Sequence, residues 1–173
     1  MRRHVPLAAP LALALAVLLG LGFAGAAERW TRYENARYGY AIDVPVDLFA
    51  MGPAPENNDG RDFDGVDGAS HLAVWGSFNA LELSVEGYAD FLADDPDTTV
   101  TYRVVRDHWL VLSGYRRGDF AGGGERIFYT KAVFSGDLST VSHFDMTYAK
   151  AAKRRFDPVI RRLSESLTAP AGD

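Results

Sequence analysis

Alternation of period two runs through most of the chain and sets its predicted elements. In "YGYAIDVP", Tyr40, Ile42 and Val44 alternate with Ala41 and Asp43. That spacing predicts a strand with one buried face, ended by Pro45, which has no N–H to donate. The preceding "RWTRYEN" reads as a second short strand. From Met51 to Gly60, prolines, asparagines and glycines predict a loop. In "RDFDGVDGASHLAVWGSF", Leu72, Val74 and Phe78 alternate with His71, Ala73, Trp75 and Ser77, while Asp67-Gly68 suits a two-residue type I′ turn. This stretch is predicted to be a hairpin.

The period then changes. Val85, Tyr88, Ala89 and Leu92 fall at helical spacing, with Ser84 placed to cap the first turn and Glu86 near the positive end of the dipole. Four extended stretches follow, at 99–106, 109–115, 125–134 and 140–148. The third is apolar on both alternating sets, so both of its faces are expected to be covered. The fourth places Phe144, Met146 and Tyr148 inward and His143, Asp145 and Thr147 outward, half exposed. Phe156, Val159, Ile160, Leu163 and Leu167 form a last helical stripe opposite Arg154, Arg155, Arg161 and Arg162. Asp157 and Pro158 suit an N-cap and first helical position, so this helix is expected either to start there or to kink there. The predicted order is β-β-β-β-α-β-β-β-β-α, a mainly antiparallel sheet sandwiched with helices in the α+β class.

The N-terminus changes the picture of where this domain works. Arg2 and Arg3 precede an uncharged run from Val5 to Ala27 that contains "LALALAVLLGLGF" and ends in small residues. This is the layout of a secretory signal peptide over residues 1–27, cleaved after Ala26 or Ala27, with an uncleaved anchor as the alternative. Residues 28–173 then form one domain, long enough to bury roughly 68–70% of its unfolded surface. The expected location is periplasmic or extracellular, with no stable membrane insertion once the signal is removed. With Arg2 and Arg3 gone, 16 of the 18 basic side chains face 23 acidic ones, a net charge of −7. That balance argues against nucleic acid and anionic membrane as general partners. There is no cysteine, which excludes disulfides, thiolate chemistry and a lipoprotein anchor.

Chemistry-bearing motifs are few. Nucleophilic catalysis has neither a cysteine nor a G-x-S-x-G elbow to rest on, and His71, His108 and His143 are scattered, reading as surface or packing residues. "GGGER" opens a predicted strand rather than a helix, so it reads as a hairpin turn and not as a phosphate loop. The acidic stretch "ENNDGRDFDGVDG" resembles a calcium loop in composition, yet placing Gly60, Gly65 or Gly68 at the sixth EF-hand position fails to supply the required ligands. A calcium site of another kind remains open on Asp59, Asp62 and Asp64. Arg116 and Arg117, with Arg126 across a loop, form a candidate corner for an anion or a partner.

"NARYGYAIDVP", the "NDGRDF…DG" loop and hairpin, and the tail "FDPVIRRLSESL" resemble a group of uncharacterised exported bacterial proteins with the Mog1/PsbP-like α-β-α sandwich. The resemblance spans most of residues 28–173 in element order. It implies a binding module without catalysis, since PsbP-like members are photosystem accessory proteins and Mog1-like members bind a small GTPase. The expected function is a non-catalytic binding or accessory module of the cell envelope, whose partner is an envelope protein or a small ligand. The alternatives are a hydrolase-type enzyme whose site shows no motif and a calcium-dependent structural module.

Overall fold

The computed structural model describes residues 28–118 and 125–171. The predicted signal segment and the glycines of "GGGER" lie outside them. Along the chain run β1 (Trp30–Asn35), β2 (Tyr40–Pro45), β3 (Phe49–Met51), β4 (Gly60–Gly65), β5 (His71–Phe78), α1 (Val85–Ala93), β6 (Thr98–Arg106), β7 (Trp109–Arg116), β8 (Arg126–Phe134), β9 (Thr140–Ala149) and α2 (Lys153–Ser166). A seven-stranded antiparallel sheet has the order β3-β4-β5-β9-β8-β7-β6, and β1 and β2 pair separately as a two-stranded ribbon. The α+β architecture expected from the sequence is present, with one addition. β3 is only three residues long, and of its side chains only Phe49 is buried, too little alternation to register as a strand in sequence.

Period-two alternation divides the core between the two faces of the sheet. On one face, α2 and the β1–β2 ribbon bury Ile42, Phe156, Val159 and Leu163 against Leu72, Val74, Phe144 and Met146. On the other, Val85, Tyr88 and Ala89 of α1 pack on Leu110, Leu112, Phe128, Phe134 and Val141. β8 serves both layers, with Ile127 in the first and Phe128 in the second. Its two apolar sets are therefore both used. At about 1.5–3 kcal/mol for each large apolar side chain removed from water, these two layers hold the fold together.

Local chemistry explains the element ends. Ser84 accepts the Gly87 N–H at 3.1 Å and caps α1. The turn between β1 and β2 needs Gly39, whose φ of +67° is left-handed, while the Asn35 side chain accepts the Tyr38 N–H at 2.9 Å. One expectation is corrected and one pair of alternatives is narrowed. The β4–β5 turn is longer than a type I′ pair, because Gly65 N–H bonds to Ser70 O at 2.9 Å and Gly68 alone in the turn has positive φ. Asp67 organises it instead, its Oδ1 accepting the N–H groups of Ala69 and Ser70. Those bonds hold the Asp67 carboxyl below its ordinary value against the opposing effect of burial. Of the two alternatives for Pro158 the start is excluded: α2 begins at Lys153, after a 3₁₀ turn over Lys150–Ala152, with Pro158 inside it, and Asp157 pairs with Lys153 at 2.8 Å instead of capping the helix. Burial of Phe156 against Phe49 and Tyr148 outweighs the N–H missing at Pro158.

Candidate functional site

Helix α1 lies over β6 and β7, and among the described residues the same face of the sheet carries a depression that Leu92 and Asp95, at the C-terminal end of α1, help to line. Strand register places Asp64 opposite His71, Asp62 opposite Ala73, Ala73 opposite Asp145, Asp145 opposite Thr130, and Thr130 opposite Leu112. Directly paired residues share a face, so this row crosses five strands on one side of the sheet. The result is a depression of about 450 Å³, with Ala73, Leu112 and Phe128 as apolar lining and Trp75 and Leu92 at its wall. That volume is within the roughly 300–1,000 Å³ of ligand clefts.

Its polar centre is a closed network. Arg116 donates to both oxygens of Asp145, at 2.9 and 3.1 Å, and its guanidinium stands 4.9 Å from the centre of the Phe128 ring. Thr130 Oγ1 donates to Asp145 at 2.5 Å. A bidentate pair of this kind is rigid as well as strong. Arg126, another member of the predicted corner, is buried and stands directly opposite Arg116 on the neighbouring strand. Arg117 is exposed beyond the end of β7, and its N–H bonds to Asp97 O at 2.9 Å.

The three aspartates weighed for calcium stand in different local settings. Asp59 accepts from Asn57 Nδ2 at 2.8 Å within the loop, Asp62 stands 3.3 Å from His71 Nε2, and Asp64 is exposed on the same face as Asp62. Among the described residues, no group of three or more His, Asp or Glu side chains is placed to hold a metal ion.

His143 departs furthest from the sequence reading. Expected on an outward face, it is fully buried beneath α1, stacked at 4.7 Å on Trp75, with Nε2 2.9 Å from the Tyr88 hydroxyl. Burial disfavours the imidazolium and pulls its pKa down to about 4. A neutral histidine sealed from solvent holds α1 to the sheet and cannot act on a substrate. The sequence signals available were Tyr88 on the apolar stripe of α1 and Trp75 on the same alternating set as His71; nothing in the local pattern of β9 shows that α1 would land there.

The architecture is Mog1/PsbP-like. The solution structure of cyanobacterial PsbP (CyanoP) from Synechocystis sp. PCC 6803 superposes with a TM-score of 0.56 at 15% identity, covering 88% of this chain and 98% of that one. The crystal structure of the Saccharomyces cerevisiae Ran-binding protein Mog1p superposes with a TM-score of 0.55 at 9% identity, covering 82% and 96%. At such identities the likeness is one of fold. No protein-family model matches the chain, and no curated protein matches its sequence.

Proposed function

We propose that this protein is an exported, non-catalytic binding or accessory module of the cell envelope, and that the open depression beside α1 is its recognition surface. The observation that carries the reading is the closed Arg116–Asp145–Thr130 network. Arg116 and Asp145 satisfy one another, so this network offers fixed polar groups and shape beside an apolar floor, while His71, which also lines the depression, faces Asp62 at 3.3 Å. The Ran-binding Mog1p, with the same fold, supports a role in binding another protein. The basic, apolar and small-residue succession over residues 1–27 supports export.

Two experiments test this. Fused to a reporter active only outside the cytoplasm, residues 1–27 should give activity, and an inactive fusion would remove the export claim. Captured from an envelope fraction, a specific partner should be lost with Ala73→Arg, which fills the depression, and kept with Arg154→Ala on α2. Hydrolysis of a chromogenic ester, phosphate or glycoside that Ala73→Arg abolishes would instead establish the enzyme reading.

A further inference from the structure

On the opposite face of the sheet, the β1–β2 turn and the loop leading into β4 enclose a second, smaller cleft of about 320 Å³, bordered by Tyr33, Asn35, Arg37, Asn58 and Arg61. We propose that this cleft binds a small soluble anion, a carboxylate or phosphate head on a flat apolar body, between the guanidinium groups of Arg37 and Arg61.

The walls are built before any ligand arrives. Three side chains of the ribbon hold successive carbonyls of the loop: Arg37 Nη1 donates to Asn57 O, Asn35 Nδ2 to Asn58 O at 2.9 Å, and the Tyr40 hydroxyl to Asp59 O at 3.0 Å. Asn58 takes a left-handed φ of +50°, a conformation that asparagine tolerates better than most side chains, and this presents its carbonyl to Asn35. Asn35 is itself 5% exposed, so the clamp is anchored in the protein interior. A preformed cleft saves the ordering cost that weakens binding to a floppy one.

The charges on the walls are two arginines against one acid, Glu34. Among the described residues, neither Arg37 nor Arg61 makes an ion pair. Arg37 stacks over Tyr38 at 5.2 Å, and Arg61 over Tyr33 at 5.8 Å with Nη1 donating to Gly60 O at 2.7 Å. Each guanidinium is thereby positioned by a ring and one carbonyl, with further N–H donors left over. Of the acids beside the cleft, Glu34 is exposed and turns to Arg32 at 3.8 Å, and Asp59 accepts from Asn57 at 2.8 Å, so the two guanidinium groups outweigh them on the walls. Two forked donors match the paired oxygens of a carboxylate or phosphate, and the Tyr33 ring supplies the apolar wall.

The test uses phenyl phosphate and benzoate, which share a ring and differ in their anionic head, titrated into the protein at constant ionic strength with sodium chloride as the control. At least one probe should shift the amide resonances of residues 35–37 and 57–61 at millimolar concentration, and the two heads compared identify the preferred anion. Arg37→Ala and Arg61→Ala should each weaken binding about tenfold, the loss of one charged hydrogen-bonding group, and Arg154→Ala on α2 should leave it unchanged. Arg61→Lys, which keeps the charge and loses the fork, should also weaken it, and serves where Arg61→Ala unfolds the protein. Silence of those amides with both probes overturns the proposal. So does binding that survives both Arg37→Ala and Arg61→Lys, or shifts confined to the depression beside α1. The outcome is independent of whether that depression recognises a protein.

Discussion

At His143, a single imidazole links the pH of the surroundings to the attachment of α1. In the folded protein it stays neutral down to about pH 4, whereas in the unfolded chain it takes up a proton near 6.5. The unfolded state therefore binds more protons between those values. Stability is complete above about pH 6.5 and falls as the pH drops toward 4, by up to about 3 kcal/mol from this group. Urea midpoints at pH 7 and pH 4.5 should show that fall, and His143→Gln, which keeps an acceptor but does not titrate, should flatten it; an equal pH slope in both proteins would contradict the assignment. Gly60 makes the opposite kind of contribution, through a missing atom. A Cβ there would lie 1.9 Å from the Val74 carbonyl oxygen and 2.7 Å from Trp75 Cα. Both are backbone atoms and cannot swing away. Gly60→Ala should cost about 1–3 kcal/mol in chemical denaturation, as overpacking does.

Elements were legible where one residue type decides their boundary, and obscure where a distant partner decides it. Ser84 announces the start of α1 because a hydroxyl in that position caps the third amide beyond it, a contact set entirely by neighbouring residues. The strands β6 to β9 follow from alternation for the same reason. α2 shows the limit: Asp157-Pro158 is locally a helix start, yet the helix begins at Lys153 because Phe156 is 1% exposed in the core. Pro158 thus sits inside a helix where it withholds an N–H from the preceding turn. Pro158→Ala should raise stability by about 1–3 kcal/mol, read from the thermal or urea midpoint. The candidate site was legible in part. Arg116 and Arg126 were visible as a basic pair across a loop, but the acid that satisfies Arg116 is Asp145, two strands away, and only the register of β7, β8 and β9 brings the two together. The Arg37 and Arg61 cleft was illegible because it depends on a loop folding back over the ribbon.

For the molecule as a whole, composition and architecture agree: a chain without cysteine holds its shape through two apolar layers on one sheet. In its acidic stretch Asp67 is bonded to Ala69 and Ser70 and Asp59 to Asn57, while Asp62 and Asp64 lie on β4, Asp62 beside His71 and Asp64 exposed. A ligand that binds only the folded state raises the melting temperature. Calcium should therefore leave the melting temperature equal to that in EDTA, and a rise of several degrees would show a site that these side chains assemble only in its presence.

The β1–β2 ribbon pairs apart from the seven-stranded sheet and is joined to it by side-chain packing rather than by a shared ladder. Besides α2, residues 168–171 fasten it: Thr168 and Ala171 donate their N–H groups to Ala41 O and Tyr38 O, while Thr140 and Ser142 of β9 bond back to the same segment. This makes the tail a latch between two units that can open at different free energies. In native-state hydrogen exchange, truncation after Leu167 should speed exchange at the amides of β1 and β2 while leaving those of β8 and β9 slow. Uniform acceleration across both would mean that ribbon and sheet open only together.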